Sequence, residues 1–302
     1  MAAELIWVPF CAVAAVGQVV RNGAQAGLTA RIGTLGATQV RFVYGLPFAL
    51  LFLGLALLIG GERLPPINLG AFAWVVGGAV CQIAATATML VVMGQRAFGV
   101  SYAYIKTEPV IVALLGVALL GDRLPPLAWL AVALVTIGVV AASVKPGEYG
   151  QLVGETRMIL IGVVSGALYG LSSIAFRGAI EALPEGGYIL RSLTALVLTL
   201  MTQTLLLGTW LVLRDRPAFL GSLREWRHSL GAGFAGAVSS ACFFIAFSLT
   251  PAANVRTVAL IELPLVALAS GRLTGRKMAG HELVGLAVVM GGVALLLYAH
   301  AA

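Results

Sequence analysis

The stretch YIKTEPVIVALLG, residues 104–116, places a lysine and a glutamate two positions apart inside an apolar run, directly before a proline. Lys106 and Glu108 lie about 200° apart around a helix, so they cannot readily pair with each other. If the run crosses a membrane, each charge costs at least about 2.5–3.5 kcal/mol on insertion scales and usually faces a cavity or a partner. The stretch therefore predicts contacts between spans.

The composition around this stretch is typical of a membrane protein. Hydrophobic residues make up 60% of the 302 positions and charged residues 10%, against about 45–50% and about 25% in soluble domains. A span needs about 20 mostly apolar residues, and the chain contains ten such runs. They cover residues 5–24, 36–60, 68–92, 98–120, 126–144, 157–180, 187–213, 229–249, 252–271 and 281–299. We predict an all-α membrane protein with ten transmembrane helices.

The two halves of the chain repeat each other. Arg41 in TQVRFVYGL matches Arg191 in YILRSLTAL at an offset of 150 positions, and Pro109 matches Pro264 at an offset of 155. Each half holds five spans, and an odd number forces the second copy to enter the membrane the opposite way.

We therefore predict two five-helix repeats of inverted topology, residues 1–147 and 148–302. Many secondary transporters have this architecture, with the substrate site near the midplane between the repeats. A second repeated segment, GERLPP at 61–66 and GDRLPP at 121–126, follows the ends of two spans. Its glycines predict helix ends and its prolines predict the starts of the next helices.

Two prolines are predicted to break helices at the site. Pro109 and Pro264 each remove a backbone donor, which would free the carbonyls of Ile105 and Leu260. Helices opened in this way tend to line cavities. We interpret the two prolines as gating positions in the fourth and ninth spans.

Ionisable and polar side chains inside the spans are the candidate site. Glu108 or Glu262 is predicted to carry a proton or meet a cation; the alternative is a static pair, for example Glu262 with Lys106. Arg41 and Arg191 either line the site or reach the headgroups. The predicted substrate-binding residues are Lys106, Glu108, Glu262, Arg256, Tyr102, Tyr104, Gln18, Asn22 (with Arg21 beside it), Gln82, Tyr169 and Phe243.

No metal-ligand, nucleotide-binding or nucleophile motif occurs in the sequence. We expect no cofactor, no metal, no catalytic residue and no nucleic-acid partner. A membrane-embedded transferase would need a metal or nucleophile constellation that the short loops do not supply. The expected partners are a small-molecule substrate, the lipid bilayer and protons, and we expect a monomer.

Residues 107–124, TEPVIVALLGVALLGDRL, resemble the signature stretch of the drug/metabolite transporter superfamily in its EamA-like branch, with Asp122 where glutamate is usual. The second copy, IELPLVALASGRLTGRKM, departs from that stretch, because an extra residue separates Glu262 from Pro264 and Arg276 replaces the acid. The resemblance implies a secondary transporter of small metabolites in the inner membrane, commonly of amino acids or drugs and often an exporter.

The charges inside the spans bear on the substrate. Four cations, Arg41, Lys106, Arg191 and Arg256, stand against the two glutamates, which leaves positive charge for an anionic group. We predict export of an amino acid or related carboxylate-bearing compound by alternating access, coupled to protons. The alternative is an exporter of organic cations or drugs, in which the glutamates bind substrate and proton in competition.

Loop charges predict the orientation. Loops after odd-numbered spans carry eleven basic residues and loops after even-numbered spans carry three. The positive-inside rule then places both termini outside the cytoplasm, whereas the resemblance implies termini inside.

Overall fold

The computed structural model describes residues 5–95, 108–143, 147, 156–263 and 279–301, and these residues are almost entirely helical and contain no β-strand. In chain order the helices are α1 (Trp7–Gly60), α2 (Leu69–Gln95), α3 (Glu108–Leu115) with a π-helical turn (Gly116–Leu120), α4 (Pro126–Ser143), α5 (Thr156–Ala182), α6 (Tyr188–Arg214), α7 (Arg216–Arg224), α8 (Trp226–Leu249), α9 (Ala252–Ala259) and α10 (Gly280–Ala301).

Helix α1 is folded back on itself at Gly33. This glycine has φ 72° and ψ 170°, a backbone conformation that only glycine adopts readily. Across the bend, Gln25 Nε2 donates to the carbonyl of Ala37 at 3.0 Å, whereas twelve residues of straight helix span about 18 Å. The bend creates two arms, residues 7–32 and 34–60, which correspond to the first two predicted spans. The loop expected between those spans is replaced by one glycine.

The most extensive contacts between the two halves of the chain are made by three helix pairs: α1 with α8, α2 with α5, and α4 with α10. Glycines bring their backbones together. A Cβ on Gly233 would lie 2.5 Å from Tyr44 Cβ, and one on Gly138 would lie 2.7 Å from the Val289 backbone nitrogen. Gly23 and Gly27, which also have small-residue spacing, have no atom within 4 Å of an added Cβ and make no such contact.

The GERLPP and GDRLPP segments act as turns. Gly61 and Gly121 end their helices in the left-handed conformation, with φ of 62° and 68°. Pro126 is the first residue of α4, as predicted. Helix α2 begins differently, because Asn68 Oδ1 accepts from the Ala71 amide at 2.7 Å.

The acidic residues of the same two segments tie them to the second half at one end of the molecule. Glu62 Oε2 accepts from the Gly187 amide at the start of α6, at 2.7 Å. Asp122 pairs with Arg177 near the end of α5, at 3.0 Å. Burial raises the pKa of Asp122, and Arg177 opposes that rise.

Six helices of the described part of the chain are long and apolar enough to cross a membrane: 27–60, 69–92, 160–182, 188–214, 229–249 and 280–299. Residues 108–120 and 126–141 form shorter apolar helices. The described part of the ninth predicted span is interrupted, because α9 ends at Ala259 and residues 260 and 261 form a turn.

Candidate functional site

Five charged side chains of the described residues are buried in the helical interior. Arg21, Arg41, Glu108, Arg256 and Glu262 expose between 0% and 7% of their surfaces. Isolated charges are rarely buried so completely, since desolvation is costly unless a partner or a ligand compensates. Their contacts fall into three groups.

In the first group, Arg256 on α9 lies against Glu108 at the start of the described part of α3. Arg256 Nε donates to Ser173 Oγ at 2.8 Å and lies 3.0 Å from Glu108 Oε1. Its guanidinium also stacks over Phe243 and Phe247, at 4.8 and 5.4 Å from the ring centroids. The pair joins the two halves of the chain.

Glu108 keeps an acceptor free in this arrangement. The single Nε–H of Arg256 points at Ser173, so the approach to Glu108 Oε1 is a charge contact. Among the described residues this buried oxygen accepts no hydrogen bond. A buried acceptor without a donor costs about 1–3 kcal/mol, which an incoming donor would recover.

In the second group, Glu262 is held by the first arm of α1. Gln18 Nε2 donates to Glu262 Oε2 at 2.7 Å. Gln18 Oε1 in turn accepts from Arg21 Nη2 at 3.4 Å, and Arg21 also donates to Asn22 Oδ1 at 3.1 Å. The predicted polar face of Gln18 and Asn22 is therefore part of the cluster.

In the third group, Arg41 meets two hydroxyls from neighbouring helices. Arg41 Nη1 donates to Thr86 Oγ1 on α2 at 3.3 Å, and Thr86 lies 3.0 Å from the Tyr169 hydroxyl on α5. Arg41 is 7% exposed, so it lines the interior and does not extend to the headgroups. Tyr169 also connects to the first group, because Ser173 donates to its carbonyl at 2.8 Å.

Other predicted residues lie apart from these groups or outside the described residues. Gln82 accepts from Gln203 at 2.8 Å and forms its own buried amide pair. Pro109 is buried beside Glu108. The remaining predicted positions, Tyr102, Tyr104, Lys106 and Pro264, lie outside the described residues.

The helix break near Glu262 differs from its prediction. The Leu260 carbonyl, expected to be freed by the proline, accepts from the Leu263 amide at 3.0 Å. Leu260 and Ile261 likewise bond three residues back, to Thr257 and Val258. The chain tightens into a 3₁₀-type turn, which satisfies the carbonyl and still interrupts the helix between Arg256 and Glu262.

Sequence reasoning missed two members of the cluster. Ser173 was not considered, although its i+4 spacing from Tyr169 places both on one helix face. Arg21 was noted only as a neighbour of the polar face, and its contacts depend on how α1 bends. The spacing signal could have identified Ser173 but not the role of Arg21.

Comparison with known proteins bears on the second half of the chain. Its helices supply Arg256, Glu262 and Tyr169 to the cluster. The model of the EamA-like transporter family matches residues 156–298. Residues 156–298 form an EamA-like domain. Members of this family are membrane transporters of the drug/metabolite type, and the apolar helices make the chain a multi-pass membrane protein.

Solved structures bear on the fold of the whole chain, including the part before the EamA-like domain. One crystal structure aligns with 100% of this chain and 99% of its own, with a TM-score of 0.67 and 14% sequence identity. At that identity the likeness concerns the fold alone. No curated protein matches the chain.

Proposed function

We propose that the protein is a ten-span secondary active transporter of the inner membrane that exports a small carboxylate-bearing metabolite, such as an amino acid, by alternating access. In this proposal residues 1–147 and 148–302 are inverted repeats. The observation that carries it is that buried charges of the EamA-like domain are held by residues of the first half, Arg256 by Glu108 and Glu262 by Gln18. Alternating access requires contacts of this kind, which form and break between two repeats.

Helix positions support the repeat. The second arm of α1 begins at residue 34 and α6 begins at Tyr188, an offset of 154 positions. Helix α4 begins at Pro126 and α10 at Gly280, again 154 positions apart. Both values lie within the offsets of 150 and 155 found between the sequence landmarks.

Loop positions support ten crossings. Glu62 contacts Gly187, and Asp122 contacts Arg177, so the segments after the second, fourth and sixth predicted spans meet at one end. Near the bend of α1, Arg31 contacts Glu225, which directly follows α7, at 3.4 Å. The bend and Glu62 lie at opposite ends of the second arm of α1, so this contact is at the opposite end of the molecule. A chain that crosses the membrane at each predicted span would place its loops in this way.

The cluster suits a substrate with an amine and a carboxylate. The free Oε1 of Glu108 offers an acceptor for an ammonium group. Three buried arginines against two buried glutamates leave a positive charge in the described cluster for an anion. A small-molecule site of this kind needs few polar groups among aromatic ones, and Phe243 and Phe247 supply the latter.

Uptake into proteoliposomes tests the proposal. Purified protein is reconstituted and offered labelled amino acids and labelled organic cations, with and without a pH gradient. We expect saturable uptake of at least one carboxylate-bearing compound that increases with the gradient. Uptake falls at least about tenfold in Glu108→Gln and in Lys106→Ala, since one charged hydrogen bond contributes about 1.5–3 kcal/mol.

The control for Glu108→Gln is Glu181→Gln, which makes the same change at an exposed position. If the liposomes accumulate organic cations and no carboxylate-bearing compound, the protein is the alternative exporter of organic cations. The proposal is wrong if no carboxylate-bearing compound enters faster than into protein-free liposomes.

A further inference from the structure

Arg21 and Arg41 face each other across the bend of α1. The hydrogen bond from Gln25 to the Ala37 carbonyl fixes which residues of the two arms stand opposite. Arg21 lies four residues before Gln25, and Arg41 lies four residues after Ala37. Residues four apart share a helix face, so each arginine is one turn from this bond, on the face turned towards the other arm.

The surroundings of the two arginines are consistent with this placement. Arg41 lies close enough for its charge to act on Arg21, and Tyr169 lies close to both. Gly236 on α8 leaves room for Arg21, since a Cβ there would lie 3.0 Å from Arg21 Cδ. The arginine pair is thus assembled from α1 and enclosed by α2, α5 and α8.

Neither arginine forms an ion pair within the described part of the chain, although Glu262 lies close enough for its charge to act on Arg21. No carboxylate oxygen there lies within 4.0 Å of Arg21 or Arg41, whereas Arg256 has Glu108 at 3.0 Å. Among the described residues Arg21 bonds to two amide oxygens, of Gln18 and Asn22, and Arg41 bonds to the hydroxyls of Thr86 and Tyr169. A guanidinium carries five N–H donors, so both retain unused donors in a buried position.

We infer that Arg21 and Arg41, with the hydroxyls of Thr86 and Tyr169, form the anion-binding part of the substrate site and bind a carboxylate. The ligand is an anion, because the three buried arginines of the described cluster outnumber its two buried glutamates. Two guanidiniums can bind the two oxygens of one carboxylate with charge-assisted hydrogen bonds. The inference rests on the proposed function and assigns the carboxylate to this pair instead of Arg256.

Gln18 connects this anion site to the acidic part of the cluster. It accepts from Arg21 and donates to Glu262. When a carboxylate binds to the pair, Arg21 shifts towards the ligand and its 3.4 Å contact with Gln18 weakens. Ligand binding at the anion site therefore affects the hydrogen bonding of Glu262 through the Gln18 side chain.

Thermal unfolding of the purified full-length protein tests the inference without knowledge of the substrate. The probes are benzoate and its neutral analogue benzamide, titrated at constant ionic strength. A ligand that binds the native state raises the unfolding midpoint according to its concentration relative to Kd. We expect benzoate, and not benzamide, to raise the midpoint.

The variants Arg21→Gln and Arg41→Gln are expected to weaken benzoate binding about tenfold or more. The control is Arg31→Gln, the same change at an exposed arginine near the bend of α1, which should leave binding unchanged. Arg21→Lys and Arg41→Lys keep the positive charge but lose the planar guanidinium, so we expect them to bind benzoate more weakly than wild type. They replace the glutamine variants in the experiment if those variants do not fold.

Three results would overturn the inference: no benzoate shift in wild type, an equal shift with benzamide, or wild-type affinity in both arginine variants. A transport assay distinguishes failure of this inference from failure of the proposed function. Undiminished carboxylate uptake by Arg41→Gln would overturn the anion site alone. Benzoate binding that depends on the arginine pair, without transport of any carboxylate, would overturn the transporter proposal alone.

Discussion

At the scale of single residues, the cluster works by sharing donors and acceptors between helices that are distant in the chain. Ser173 donates to Tyr169 and accepts from Arg256, and Gln18 connects Arg21 to Glu262. Each of these small polar groups satisfies a charge without neutralising it. The charge of Arg21 therefore remains available to a substrate, whereas Arg256 is in contact with Glu108.

The pair of Glu108 and Arg256 gives a prediction about stability. Glu108→Gln removes the carboxylate and leaves a buried guanidinium without its counter-charge, which costs about 3–5 kcal/mol. We expect a lower midpoint of thermal unfolding in detergent. The double variant Glu108→Gln/Arg256→Met should recover most of the loss, because it removes both charges. An unchanged midpoint in Glu108→Gln would show that the pair contributes no stability.

The residue pattern could identify part of this cluster. Glu108, Glu262 and Arg256 stand out because charges in apolar runs are rare, and Tyr169 and Gln18 lie on polar helix faces. The pairing of Arg21 with Arg41 could not be predicted, because it depends on the backbone angles of Gly33. Nothing in the sequence distinguishes that glycine from the many that remain helical.

At the scale of helices, apolar run lengths predict the bounds of several elements within a few residues, since the bilayer sets the length of a span. The run at 187–213 corresponds to Tyr188–Arg214 and the run at 281–299 to Gly280–Ala301. The expected connection between the first two spans was wrong, because a bend of one residue leaves no polar loop. Backbone geometry, and not hydrophobicity, decides such a connection.

The contact of α4 with α10 gives a prediction at this scale. A Cβ at Gly138 would lie 2.7 Å from the Val289 nitrogen and 2.8 Å from the Gly285 carbonyl oxygen, and backbone atoms cannot rotate away. We expect Gly138→Ala to destabilise the protein by about 1–3 kcal/mol, measured by thermal unfolding. The matched control is Gly54→Ala, where the added methyl meets nothing within 4 Å. Equal effects of the two substitutions would contradict the close approach.

At the scale of the whole molecule, loop charge and fold together address orientation. Arg31 at the bend and the arginines of the α6–α8 segment share one end, while the other end contains Glu62 and Asp122. The positive-inside rule places the basic end in the cytoplasm.

A tag after Ala302 checks this orientation. Because the basic loops follow odd-numbered spans, the charge rule predicts that the tag is outside the cytoplasm. We expect an impermeant reagent to label it in intact cells to about the same extent as in lysed cells. Labelling only after lysis would favour the arrangement that the family resemblance implies, with both termini inside.

The bend of α1 also affects the order in which the protein is made. Residues 7–60 form a helical hairpin whose two arms are joined by their own contact between Gln25 and Ala37. A ribosome completes these residues before it reaches any residue of the EamA-like domain, so the segment that contains both arginines and the bend is made first. Helices made later, α2, α5 and α8, then complete the enclosure of the two arginines.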